Sequence, residues 1–197
     1  MISAFRFLYT AEVELDLESV FFIHYAADKY AIEELADECK YFLERNLHAD
    51  NVCTIIEYGS RYHMDALVNK CMKLVKKDTE KVFASDDFMS LSQKGLECII
   101  EAECSVDPEC LYRACKRWAS AKVEQRREKI TPEKLREILG DTIKKIHFNE
   151  MTYSSFVDTV VVDNILTGNE VQMYLLSIRE TQRNKVDCLQ TEILNNG

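Results

Sequence analysis

At 197 residues the chain can form one large domain or two small ones, and 47% hydrophobic residues are enough to fill a packed core. Only 5 glycines and 2 prolines leave little punctuation for hairpins, which argues against a sandwich or barrel. A formal charge of -9 repels phosphate backbones and anionic lipid, so nucleic acid and membrane surfaces are poor partners and a protein partner is expected.

Phe5, Leu8 and Tyr9 read as the last turns of a helix that begins before Met1. Glu12-Val13-Glu14-Leu15 alternates as a short strand would, and Asp16 is placed to cap a helix over 17–30. That helix carries Leu17, Val20, Phe21, Phe22, Ile23, Ala26 and Ala27, apolar over more than one stripe, and requires cover nearly all round. Ile32, Leu35, Ala36, Cys39, Phe42 and Leu43 form a one-sided stripe, with Glu33 and Glu34 at the end where the helix dipole favours acids. Asp50 is positioned to cap the next helix, opened by Val52, Ile55 and Ile56 and expected to end or bend at Gly59. Leu67, Cys71, Leu74, Val75 and Val82 set the face of its successor, with Lys73, Lys76 and Lys77 as solvated flank residues.

Ser85 and Ser92 each begin a further helical segment, and Asp107-Pro108-Glu109 and Thr131-Pro132-Glu133 supply a cap, a proline at the first helical position and an acid in the first turn. From Pro108, Leu111, Ala114, Cys115, Trp118 and Ala119 build one face. Thr152 is placed to start a short helix, and Thr167-Gly168-Asn169-Glu170 forms a capping box ahead of Val171, Tyr174 and Leu175. Past Arg179 the apolar pattern dissolves, so 181–197 is expected to be a disordered tail.

The eight cysteines contain no Cys-x-x-Cys pair. Cys98, Cys104, Cys110 and Cys115 are separated by five, five and four residues, a spacing that suits no standard zinc site. Reduced thiols packed on helical stripes are expected, without metal or other cofactor. His24, His48, His63 and His147 are scattered, and phosphate-loop, nucleophile-elbow and His-Glu-x-x-His motifs are absent, so no catalytic residue is assigned and no enzyme is expected. Without a run near the roughly 18 apolar residues of a membrane span, and with Met1-Ile2-Ser3 leading directly into Phe5 and Arg6, a cytoplasmic location is expected.

The run Phe7-Leu8-Tyr9-Thr10, the acidic piece to Leu15, the helix ending in Ala26-Ala27-Asp28-Lys29-Tyr30, and the stripe through Leu43 resemble the second half of a BTB (POZ) domain. The pair of helices from Asn51 to about Phe83 resembles the 3-box of cullin-3 adaptors, and the Leu111, Ala114, Trp118 helix resembles the most recognisable one of the BACK domain. Lys129-Ile130-Thr131-Pro132-Glu133, Ile138-Leu139-Gly140 and Ile146-His147-Phe148 are similar to the BTB-BACK-PHR subgroup. Where that subgroup carries a proline after the aromatic, Asn149-Glu150 stands here, and the turn is expected to be built differently.

The resemblance implies an all-α array of antiparallel helix pairs with at most one short strand near the N-terminus. Its parts would be a BTB half over 1–47, a 3-box pair over 48–83, a BACK region over 84–180 and the tail. It further implies a protein-binding adaptor that presents substrates to a cullin-3 RING ubiquitin ligase, with the substrate-binding domain and the first BTB half outside this sequence. Phe5, Tyr9, Val52, Ile55, Ile56, Leu67 and Cys71 are then the candidate contacts for the cullin-3 N-terminal region. Other BTB proteins are further possible partners, and self-association through exposed apolar surface is expected. The rival reading is a helical scaffold or signalling module that does not bind cullin-3.

Overall fold

The structure, a computed structural model, describes residues 14–101 and 106–195, with side chains described as far as 183. Among the described residues the regular structure is entirely helical. The strand expected at Glu12 to Leu15 falls partly outside them, and Glu14 and Leu15 carry no ladder. Two compact units divide the chain, Met1–Gly95 and Leu96–Gly197.

In the first unit α1 (Val20–Lys29) and α2 (Glu33–Arg45) pack together. The turn between them is short enough to make them antiparallel neighbours. Asp16 Oδ1 accepts from the amides of Glu18 at 3.0 Å and Ser19 at 2.7 Å, and α1 starts only after this turn, three residues later than its apolar pattern begins. Leu35, Cys39 and Leu43 of α2 are fully buried, as the one-sided stripe requires.

The second pair is α3 (Val52–Arg61) and α4 (Asp65–Lys77). Gly59 does not end α3, which runs on to Arg61: a Cβ there would lie 2.8 Å from Val68 Cγ2, so the missing side chain lets α4 approach. The helix stops instead at Tyr62–His63, where His63 takes a φ of 54°. Nor does Asp50 cap α3. Asn51 occupies that position, but its side chain serves Asn46 O and the amide of His48.

The cap comes from farther along the chain. After α5 (Thr79–Ala84), helix α6 (Asp86–Ser90) places Asp87 against the first turn of α3. Its carboxylate accepts from Cys53 N at 2.7 Å and Thr54 N at 3.2 Å, and from Thr54 Oγ1 at 2.5 Å. Glu57 of α3 returns the link by accepting from Ser92 N at 2.6 Å, ahead of α7 (Gln93–Glu101). A Cβ on Gly95 would overlap Glu57 Oε1, so glycine is what allows that carboxylate to reach the turn.

In the second unit α8 (Pro108–Gln125) and α9 (Pro132–Leu139) begin as their sequences predict. Asp107 accepts from Cys110 N at 3.1 Å and Thr131 from Lys134 N at 3.4 Å. Two 3-10 turns follow, Gly140–Lys145 and Phe148–Glu150. The Glu150 amide closes the second onto His147 O at 3.0 Å. Helix α10 (Tyr153–Ser155) runs into a π-helical turn, Phe156–Val161, and α11 (Gly168–Asn195) closes the unit.

Phe148 anchors the core here, with ring centroids 5.7 Å from Tyr112, 5.7 Å from Phe156 and 5.0 Å from Tyr174. The Glu170 carboxylate accepts from Thr167 N at 2.8 Å and Thr167 Oγ1 accepts from Glu170 N at 3.3 Å, the reciprocal capping expected of that box. The backbone of α11 then continues helically through most of 181–197, where no apolar pattern had suggested a helix. Between Gly168 and Gly197 the chain contains neither glycine nor proline and is rich in Glu, Gln, Arg and Leu, so intrinsic propensity carries the helix on.

The two adjacent acids at the head of α6 separate cap from bystander. Asp87→Ala should lower stability in chemical denaturation by about 1–2 kcal/mol, the ordinary value of a helix cap. Exposed Asp86, which only begins α6, should cost less than about 0.5 kcal/mol when changed to alanine. Equal losses for the two variants would refute the assignment.

Candidate protein-binding surface

The α3–α4 pair carries five of the residues singled out by resemblance. Val52, Ile55, Ile56 and Cys71 are 0% exposed and Leu67 2%, so all five are core. The 3.6-residue period marks burial correctly but cannot say whether the covering surface is this chain or another. Phe5 and Tyr9 lie outside the described residues.

In the first unit, open apolar surface is found on α1. Phe22 is 76% exposed, beside exposed Tyr25, while Ile23 is buried and Phe21 half-buried. Among the described residues this helix, apolar all round, is covered by α2 and the aromatic residues of α3. Tyr25 meets the ring of Tyr62 at 6.0 Å, and Phe21 meets Tyr58 at 4.6 Å.

Beneath this surface sits buried His24. Tyr58 has one hydroxyl proton, donated to Phe21 O at 2.9 Å, so its oxygen accepts from His24 Nδ1 at 2.9 Å. Nε2 is left as a buried acceptor without a partner among the described residues. Burial holds the imidazole below its ordinary range, Lys40 adds to the effect, and Asp28 and Asp37 oppose it. The sequence placed His24 within an apolar helix, but only the fold supplies Tyr58, 34 residues away.

Two open cavities add polar groups. One, about 450 Å³, lies between Leu15 and the Tyr41, Phe42 and Arg45 side of α2, with the Arg45 guanidinium 5.5 Å from the Tyr41 ring centre. The other, about 350 Å³, lies between α8 and the π-helical turn in the second unit. Its charged groups are largely committed to each other: Lys116 pairs with Asp163, Tyr112 donates to Asp163 at 2.8 Å, and Arg113 pairs with Glu109 at 2.6 Å.

Cys39, Cys71 and Cys115 are buried, and desolvation pushes their thiols up to about 12, so they remain protonated at neutral pH. Cys98 is exposed and Cys110 half-buried, while Cys104 and Cys188 lie outside the described side chains. Among the described residues no three His, Cys, Asp or Glu side chains converge as a metal site requires, and no helix is long and apolar enough to cross a membrane.

Helix pairs with buried seams define an all-helical module among the described residues. The chain belongs to the BACK (BTB And C-terminal Kelch) family, whose profile matches residues 52–160, more than half of its length. It is similar to the human BTB/POZ domain-containing protein 6, at 27% identity over 92% of this chain and 34% of that protein. Its zebrafish counterpart 6-B is 25% identical over 92% of this chain and 38% of its own length. The human BTB/POZ domain-containing protein 3 is 26% identical over 84% of this chain and 32% of that protein. The chain therefore spans about a third of the length of these relatives.

The depressed His24 imidazole links stability to pH. The unfolded chain takes up a proton near pH 6.5 that the folded chain resists, so stability contributed by neutral His24 is present above that value and lost as pH falls from it toward the lower folded value. The urea midpoint should be lower at about pH 5.5 than at about pH 7.5, and His24→Leu should flatten this slope. A slope of undiminished size in His24→Leu would place its origin elsewhere.

Proposed function

We propose that this chain is the second half of a BTB domain (1–47), a 3-box pair (48–83) and a BACK region (84–180), followed by a terminal segment (181–197). In this reading it serves as part of a substrate-recruiting adaptor of a cullin-3 RING ubiquitin ligase in the cytoplasm, closest to the BTB-BACK-PHR subgroup. The observation that carries the reading is the BACK match over 52–160 together with relatives named for a BTB/POZ domain. The adaptor acts by binding and not by catalysis: holding ligase and substrate together raises the effective concentration of one for the other.

The N-terminal region of cullin-3 is the proposed partner, and Phe5 and Tyr9 are its proposed direct contacts. Buried Val52, Ile55, Ile56, Leu67 and Cys71 set the shape of the helix pair beside which it docks. The aromatic face at Phe22 and Tyr25 is the proposed route to self-association or to other BTB chains, since open apolar patches seek cover. Full burial of the five seam residues also favours the rival, a helical scaffold without cullin-3 contact, because it leaves no apolar groove of their making open to a partner.

Calorimetry with the cullin-3 N-terminal region separates the two. Binding should be measurable, and Tyr9→Ala should weaken it by about thirtyfold, the value of a 2 kcal/mol hot spot, with helicity unchanged. Absence of heat with the unmutated chain would remove the adaptor reading and leave the scaffold.

A further inference from the structure

The solvent face of α4 carries Lys70, Lys73, Lys76 and Lys77, all exposed. At about 100° per residue these four, with exposed Ala66 and Asn69, fall on one arc of roughly 120° opposite buried Leu67, Cys71 and Val75. No acid interrupts the arc; Asp65, the helix's single carboxylate, lies outside it in the first turn.

Lysines without a carboxylate partner occur elsewhere among the described residues, at Lys29, Lys94 and Lys129; what sets α4 apart is three of them on one face. The chain has 34 acidic against 25 basic residues, so carboxylates are in excess. Lys40, Lys81, Lys116, Lys134, Lys144 and Lys145 each hold one within 4 Å. Lys70 pairs with Glu44 of α2, which anchors one end of the stripe. Lys73, Lys76 and Lys77 have no carboxylate partner among the described residues. The helix dipole favours Lys76 and Lys77 in the last turn but does not reach back to Lys73.

We propose that this stripe docks an acidic segment of a protein partner, one whose carboxylates recur every three to four residues of a helix or every second residue of an extended strand. Lys73 and Lys77 stand one helical turn apart, a spacing either arrangement meets. A protein is favoured over nucleic acid or an anionic membrane because the charge of -9 repels extended polyanions, whereas a short acidic segment meets mainly the local field within the Debye length of about 8 Å. The inference rests on α4 alone and is independent of the cullin-3 reading.

A labelled oligoglutamate peptide, titrated into the full chain by fluorescence anisotropy, tests it. Saturable binding is expected, weakening as salt is raised and falling at least tenfold in K73E/K77E. K94E/K129E makes the same change in net charge at exposed lysines off the stripe and should leave affinity within about twofold. If the reversed charges upset the end of α4, K73Q/K77Q removes the cations without adding acids and should still show a loss of about fivefold or more. No binding, equal losses in the stripe and control pairs, or tighter capture of a single-stranded DNA oligonucleotide or phosphatidylserine vesicles would each overturn the proposal.

Discussion

The first unit depends on a reciprocal pair of acid-to-amide bonds. Asp87 fills the first turn of α3, and Glu57 of α3 returns to the Ser92 amide. Together with the packing of α3 on α4 they hold its orientation, and with it which of its residues face inward. The geometry demands a glycine at 95, because a side chain there would occupy the place of the Glu57 carboxylate. Val52, Ile55 and Ile56 are buried as a consequence of this orientation as much as of their own apolar character.

Fixing α3 also determines what the unit leaves open. Tyr58 and Tyr62 project toward α1 and take up His24, Phe21 and Tyr25, so α1 is held by an aromatic and hydrogen-bonded contact on one side. Phe22, on its other side, is left to solvent or to a partner. The buried thiols and His24 are governed by desolvation, which favours their neutral forms. Such groups support packing better than chemistry, and the exposed surfaces are where interaction with another protein can occur.

What the sequence disclosed and what it withheld follow from the range of the interactions. Asp107, Thr131, Thr152 and Thr167 cap helices within three residues of themselves, and each was legible because donor and acceptor lie in one short window. Asp87 caps a helix 33 residues back, and no local window contains both ends of that bond. Gly59 reads locally as a helix breaker, yet its use is to admit Val68 of the neighbouring helix. The short helix expected from Thr152 forms, but it runs on after Ser155 as a π-helical turn, Phe156–Val161. For the candidate contacts, apolar spacing correctly located the α3–α4 seam, but it carried no information on whether the cover was internal.

We propose that the first unit docks the cullin-3 N-terminal region beside the α3–α4 pair and through the segment leading into α1. Hydrogen–deuterium exchange of the chain with and without the cullin-3 N-terminal region measures this directly. The account predicts added protection in the segment before Asp16 and along α3 and α4, with α8 and α9 unchanged. Protection confined to the second unit, or exchange identical with and without the added protein, would contradict it.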